Sequence, residues 1–282
     1  MLDVDVASLD TQLPAILDEL LTGDGTVAIR QLFPPEEIDE ARRLIMHYSS
    51  TEDDKVTHFH GAHEDQVHLQ RRVWNLLDKG EVFERMVQHP VVMRIVGAFL
   101  GDAFIMGSVA ANRLLPGGPG QEPHVDYPYW DLYKRETFPI GINSSYPLNA
   151  QATVLLDDFT VENGATAYWP GSQRTLAYPD DDAAFHANAA RQTGRAGDCI
   201  VFNGMVWHCA MPNHADADRT ALLIEYLAKF VTPLEDQKRG VRQEVVDRAS
   251  PMLRQLMALD YPYPTLLDEV EAGVAYGRNA ES

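Results

Sequence analysis

Gln121-Glu122-Pro123-His124-Val125-Asp126 is the stretch from which the rest of the chain can be read. His124 and Asp126 stand two apart, and on an extended strand residues i and i+2 point to the same face. An imidazole and a carboxylate therefore converge on one point. His208, on a separate predicted strand, supplies a second imidazole. Two histidines and a carboxylate occupy one face of an octahedral metal and leave the other positions open, which suits a non-haem Fe(II) centre.

Working outward from this stretch, residues 103–115, 148–156, 166–169, 195–202, 206–211 and 220–230 are predicted strands, separated by Gly, Pro, Asn and Asp clusters. Many strands with turn signals between them predict a mainly β protein with a double-stranded β-helix, or jelly-roll, core and flanking helices. Such a core brings strands distant in sequence together at an open mouth, as the metal set requires. Upstream, Leu13, Ile16, Leu17, Leu20 and Leu21 have helical spacing, and 26–29 is a short strand. Pro34-Pro35-Glu36-Glu37 opens a helix to about residue 48, since proline and acids suit a first turn. Residues 81–100 form one or two helices interrupted near Pro90, and 236–258 one C-terminal helix. Residues 51–72 are polar and histidine-rich without a period. The expected organisation is one domain over 1–282, with a helical and lid region (1–100) packed on the outside of a catalytic core (101–232) and a helical extension (233–282).

The formal net charge of −19 argues against nucleic acid and anionic membranes as partners, since both require basic patches. No apolar run is long enough to span a bilayer, and the acidic start Met1-Leu2-Asp3-Val4-Asp5 lacks the basic, then apolar, pattern of a signal peptide. Two cysteines, Cys199 and Cys209, are too few for a disulfide framework and suit a reducing cytoplasm. Both are expected to be packing residues, with Cys209 pointing away from the metal face because it follows His208 directly.

Four pieces in order carry a family resemblance: His124-Val125-Asp126; Asn163-Gly164-Ala165-Thr166 with Pro170-Gly171-Ser172; Gly197-Asp198 with His208; and Arg219, eleven residues after His208. Over roughly residues 100–230 the chain resembles the phytanoyl-CoA dioxygenase family of Fe(II)- and 2-oxoglutarate-dependent oxygenases. The resemblance implies His124, Asp126 and His208 as iron ligands and catalytic centre, with 2-oxoglutarate and O2 as co-substrates. Arg219 would hold the distal carboxylate of 2-oxoglutarate, for which a guanidinium offers a charged bidentate fork; the alternative is a surface ion pair with Asp216 or Asp218. Gln121 and Asn112 are polar candidates beside the co-substrate, and Trp130 matches a bordering aromatic in related ectoine hydroxylases. The family's hydroxyl residue two after the distal histidine is Ala210 here, so that contact is either absent or supplied elsewhere, with Thr153 and Gln151 as the candidates. An intact Asp126 argues against halogenation, where that position is a small residue. The expected reaction is hydroxylation of an unactivated C–H bond of a small molecule, with release of succinate and CO2. Desaturation, epimerisation, cyclisation or demethylation on the same machinery is the alternative; a silent metal-binding jelly roll and a zinc hydrolase are the readings outside the oxygenases.

Tyr127, Tyr129 and Trp207 are candidates for a substrate wall. Phe59 and His60 are candidates for substrate contact, because N-terminal segments cover the barrel mouth in this family. The spacing of His58, His60, His63 and His68 fits no closed zinc pattern. Arg71, Arg72, Arg191 and Arg195 could form a local anion site. Asn163-Gly164, Pro170-Gly171-Ser172 and Gly197-Asp198 are expected to be turns. The expected state is a monomer or homodimer.

Overall fold

Strand β10 (Arg219–Leu227) organises the molecule. Its odd residues, Arg219, Ala221, Leu223 and Glu225, alternate with Leu222, Ile224 and Tyr226, which belong to the largest hydrophobic cluster. One face of a sheet through β10 must therefore meet apolar helices and the other a polar space. The computed structural model describes residues 1–51, 68–132, 147–175 and 177–259. In it β10 lies between β4 (Ile105–Leu114) and β5 (Asn149–Leu155), antiparallel to both. The sheet continues through β8 (Cys199–Asn203), β2 (Thr26–Ile29) and β1 (Leu2–Val4) on one side and β3 (Gln70–Val73) on the other. A second sheet holds β6 (Ala167–Tyr168) between β7 (Ala190–Arg191) and β9 (His208–Cys209). Together they form the expected jelly-roll core.

The helices cover the apolar face. Helix α1 (Leu9–Leu21) buries Leu13, Ile16 and Leu20, while α2 (Pro35–Thr51), α3 (Glu81–Val87) and α4 (Pro90–Leu100) complete the layer. His89 caps α4, its Nδ1 accepting from Val91 N at 3.3 Å, and Pro90 follows at the position where proline is best tolerated. The break near Pro90 therefore separates two helices, as its sequence predicts. Two short helices, α5 (Tyr129–Leu132) and α6 (Asp182–Asn188), lie between strands.

Two expectations need correction. The first hundred residues do not merely pack on the outside of the core: β1, β2 and β3 are part of the main sheet. Four-residue strands such as Gln70–Val73 are too short to show a period against a polar background. The single helix expected over 236–258 is three pieces, α7 (Gln237–Gly240), α8 (Gln243–Arg248) and α9 (Pro251–Leu256). Pro251 disfavours helical geometry at Ser250, which instead caps α9 by accepting from Leu253 N at 3.0 Å. Among the described residues no helix is long and apolar enough to cross a membrane.

The Gly197-Asp198 turn locks β2 to β8. Gly197 has φ +95°, and a Cβ there would lie 2.8 Å from the Phe33 carbonyl oxygen. Asp198, 3% exposed, accepts from Gln31 N (2.8 Å), Gln31 Nε2 (2.9 Å), Arg30 Nη1 (3.0 Å) and Arg195 N (3.0 Å). Burial opposes ionisation, but these donors outweigh it and hold the carboxyl below its usual range. Asp198→Ala is therefore expected to destabilise the fold by about 3 kcal/mol, because it strands several inward-facing donors; urea unfolding at neutral pH checks this. Because the folded pKa is depressed, the wild-type advantage is present above the unfolded value and is lost as pH falls through the folded one.

Candidate active site

His124 and His208 face each other across a single antiparallel bridge. His124 N donates to His208 O and His208 N to His124 O, both at 3.0 Å. The His124-Val125-Asp126 stretch is thus a lone bridge rather than the continuous strand its alternation predicts, with Asp126 N anchored on Gly204 O at 2.9 Å. Alternation still holds locally: Val125 is fully buried with Tyr129 and Met205, while the side chains on either side of it meet at the site.

The ligand atoms of His124, Asp126 and His208 all lie within 4.8 Å of one another. Asp126 Oδ1 is 4.0 Å from His124 Nε2, and its Oδ2 is 3.5 Å from His208 Nε2. Each imidazole is fixed from behind: His124 Nδ1 lies 2.8 Å from Glu122 O and His208 Nδ1 2.8 Å from Val206 O. A carbonyl can only accept, so each Nδ1 carries the proton and each Nε2 lone pair faces Asp126. Burial lowers both imidazoles to about 4, helped at His124 by its proximity to His208, and burial raises Asp126 to about 6. Gln151 donates a hydrogen bond to Asp126 and thereby orients it. A set of two neutral imidazoles and one carboxylate fits a divalent metal.

The three residues open on a cavity of about 140 Å³, room for one small organic molecule. Of the residues singled out in the sequence, Gln121, Asn112, Tyr127, Trp130 and Arg219 line it, as do Gln151 and Thr153, the two proposed to stand in for Ala210. Gln121 is bonded to the distal ligand strand, its Oε1 accepting from Ala210 N at 3.2 Å. Tyr127 donates to Thr232 O at 2.7 Å, and Trp130 is 38% exposed at the rim.

Arg219 is 3% exposed, so the surface ion pair does not form; Asp218 instead binds Arg113 at 2.6 Å. The guanidinium stacks on Phe159, with Cζ 4.6 Å from the ring centroid, and its Nε and Nη2 have no hydrogen-bond partner among the described residues. Burial and neighbouring Arg72 lower its pKa to about 10, leaving it charged at neutral pH. Asn112 Oδ1, also buried, is likewise unpartnered. Buried polar groups are normally satisfied, so orphans converging on one cavity call for a polar ligand. An anion with its own acceptor oxygens, such as a carboxylate, fits the Arg219 fork.

Two substrate-wall candidates lie elsewhere. Tyr129 is fully buried and accepts from Leu148 N at 2.6 Å, filling the small core around Val125 and Met205. Trp207 donates to Ala177 O at 2.8 Å and packs edge-on against Trp169 at 5.4 Å. Their aromatic bulk serves packing because each polar tip finds a backbone partner away from the cavity. Phe59, His60 and the histidines at 58 and 63 lie outside the described residues. Of the four arginines read as an anion site, only Arg72 lines the cavity; Arg71 and Arg191 donate to Ser49 O and Ala165 O. Trp74, Ser108 and Glu225 line the cavity unforeseen. For Glu225 the available signal was a lone acid in the apolar run of β10.

The remaining motifs are structural, as expected. Gly164 and Gly171 have φ +83° and +78° at their turns. Ser172 Oγ accepts from Trp207 N at 2.8 Å, so its turn supports the strand carrying His208. Cys199 and Cys209 are buried and free, with Cys209 packed against Ala167 and Phe185 away from the ligands.

Comparison with known proteins agrees with this geometry. A protein named dioxygenase af480 from Aspergillus fumigatus is 28% identical over 204 residues, covering 67% of this chain and 59% of that protein, so under two thirds of that relative is matched. Dioxygenase ALT11 from Alternaria alternata is 25% identical over 261 residues, covering 86% of this chain and 80% of the relative. The solved structure of the epimerase SnoN in complex with Fe3+, alpha ketoglutarate and nogalamycin RO superposes with a TM-score of 0.61 at 17% identity, over 80% of this chain and 88% of that one, and shows the shared fold. The family profile described as Phytanoyl-CoA dioxygenase (PhyH) matches residues 21–221, most of the chain and both halves of the metal-ligand set. The chain belongs to the phytanoyl-CoA dioxygenase family.

Proposed function

We propose that the protein is an Fe(II)- and 2-oxoglutarate-dependent oxygenase that hydroxylates a C–H bond of a small molecule. The observation that carries this reading is the buried, unpartnered fork of Arg219 in the same cavity as His124, Asp126 and His208. The two Nε2 atoms and the Asp126 carboxylate would hold the iron, Arg219 the distal carboxylate of 2-oxoglutarate, and Asn112 would lie beside it. Iron and 2-oxoglutarate, when bound, supply the oxidising power by oxidative decarboxylation with O2 to succinate and CO2. The protein's part is orientation and exclusion of water. Gln151 steadies Asp126, the carbonyls of Glu122 and Val206 fix the imidazoles, and Phe202, Ala110 and Leu223 wall the site with apolar surface. On this reading the chain works as one domain in the cytoplasm, as a monomer or homodimer, with the metal ligands and Arg219 within 101–232 and β1, β2 and β3 completing the main sheet. That SnoN is named an epimerase keeps a second outcome in view on the same machinery, in which the oxidised carbon changes configuration instead of gaining a hydroxyl.

The test is an anaerobic Fe(II) titration of the apo-protein with 2-oxoglutarate, followed by visible absorption and, on admitting O2, by succinate release. A charge-transfer band from keto-acid chelation is expected. Iron bound without any such band would sink the assignment and favour a metal-binding protein or hydrolase. Metal uptake should also depend on pH. Protons compete for a carboxylate raised to about 6 and for imidazoles lowered to about 4. Affinity is therefore expected to be flat above pH 6, to fall about tenfold per pH unit below it, and to fall more steeply as pH approaches 4. A profile whose main loss lies between pH 7 and 6 would contradict the neutral-imidazole site.

A further inference from the structure

The cavity of about 140 Å³ has room for one small organic molecule. Pockets that enclose a larger ligand run to roughly 300–1,000 Å³. On the oxygenase reading the co-substrate spans the space from the metal ligands to Arg219 and takes that room. A substrate then inserts only the edge that reacts, and the rest of its surface lies against the mouth. The side chains of the mouth therefore state what kind of molecule is accepted.

That mouth is apolar and open to solvent. Among the described residues six large apolar side chains are exposed, and two of them, Trp130 at 38% and Leu234 at 46%, line this cavity. Tyr178, 37% exposed, is a third: its hydroxyl is held above its usual pKa by burial and then by the charges of Glu122 and Asp126, which places it beside the same opening. Isolated exposed apolar residues are ordinary, but half of the six at one entrance mark a binding surface.

The mouth is also held in place by the backbone. Tyr127 Oη donates to Thr232 O at 2.7 Å, and Glu235 N donates to Gly107 O at 3.0 Å. The Glu235 carboxylate accepts from Asn75 N at 3.2 Å and Val109 N at 2.8 Å. Anchored on both sides, Leu234 is kept from turning into the core. The Trp130 ring rests on the ring of Tyr127 at 5.8 Å, and Ala177 O, next to Tyr178, accepts from Trp207 Nε1 at 2.8 Å. These anchors form without a ligand, so little ordering cost falls on binding. Two aromatic faces and one branched aliphatic side chain, none of them charged, match the faces of a ring system; a single extended chain would leave much of this surface wet.

We propose that Trp130, Leu234 and Tyr178 form a preset apolar mouth that grips the body of an uncharged, ring-bearing substrate while only its reacting edge enters beside the metal. This rests on the oxygenase reading, which gives the inner cavity to the co-substrate.

The test uses the full chain loaded anaerobically with Fe(II) and 2-oxoglutarate. The probes are cyclohexanol, its fused-ring homologue decahydro-2-naphthol, straight-chain decan-1-ol with the same carbon count as the fused-ring probe, and the ammonium and carboxylate counterparts of decahydro-2-naphthol. Binding is read by calorimetry in wild type, Leu234→Ser and Trp130→Ala. Decahydro-2-naphthol is expected to bind about tenfold more tightly than every other probe and to lose about tenfold in each variant, because apolar contact area goes with the side chain. Cyclohexanol should change by no more than a few fold. Leu234→Ser should keep the wild-type melting temperature and charge-transfer band, since an exposed side chain supports neither the fold nor the co-substrate; a merely structural leucine would lower the melting temperature. Three results overturn the proposal: decan-1-ol or a charged counterpart that binds as tightly as decahydro-2-naphthol, variants that bind decahydro-2-naphthol as wild type does, or a panel in which no probe binds. The wild-type charge-transfer band in the same samples decides the oxygenase reading separately, so the two failures are distinguishable.

Discussion

Arg219→Leu is expected to lose at least about a hundredfold in 2-oxoglutarate affinity while leaving the free protein as stable as wild type or more so. Truncating one partner of a buried charge pair costs about 2–5 kcal/mol, and 2.7 kcal/mol is roughly a hundredfold. The stability half of the expectation comes from the orphaned fork. In the free protein Arg219 is desolvated, faces the like charge of Arg72 and leaves Nε and Nη2 unpartnered. Leucine removes that unpaired buried cation and keeps apolar bulk against Phe159. A merely structural arginine would behave in the opposite way, lowering the melting temperature. Arg219→Lys should fall between, keeping the charge but losing the planar fork. Calorimetric titration of the Fe(II) protein with 2-oxoglutarate, alongside thermal unfolding of the apo-protein, measures both halves. Leucine-variant affinity within a few fold of wild type would remove Arg219 from the co-substrate site.

His208→Ala is expected to abolish stoichiometric iron binding, weakening it by at least about a hundredfold. Loss of a supporting residue around a metal typically weakens binding 10–100-fold, and loss of a ligand does more. Among the described residues His208 provides one of three ligand atoms, and alanine leaves its backbone bridge to His124 in place. Gln151→Leu supplies the internal comparison: it removes the donor to Asp126 but no ligand, and should weaken iron by about tenfold. Anaerobic equilibrium dialysis with metal analysis ranks the variants. Iron retained at wild-type affinity in His208→Ala, or a larger loss in Gln151→Leu than in His208→Ala, would refute the ligand assignment.

What the sequence disclosed and what it withheld follow from the range of the interactions. The metal set and Arg219 were legible because their spacing is a property of local chain geometry joined to a family pattern. The long strands β4, β5 and β10 were legible because each carries enough alternating residues to show a period. Two-residue strands such as β7 carry none, and their pairing is decided by tertiary contacts. Tyr129 and Trp207 looked like a substrate wall because aromatic character says nothing about which partner a polar tip will find. Their tips meet Leu148 N and Ala177 O, backbone groups distant in sequence. Glu225 was hidden for the same reason. Its place beside Ser108 and Gln151 depends on register across three strands, and its fit depends on a bulge at Gly107. Ala210, by contrast, signalled a missing contact, and Gln151 and Thr153 both line the cavity where a replacement would be needed.

The reciprocal amide bridge between His124 and His208 means that backbone, rather than metal, sets the distance between two of the three ligands. The two imidazoles are already held together before an ion arrives, so bringing them together costs little chain entropy at capture. Preorganisation of this kind transfers discrimination from folding to ligand chemistry: the pocket has the same shape for any divalent ion that tolerates two nitrogens and an oxygen. Amide hydrogen exchange at residues 124 and 208 should accordingly be slow already in the apo-protein and change little on metal addition. Which ion fills the site in a cell then becomes a matter of supply as much as of fit.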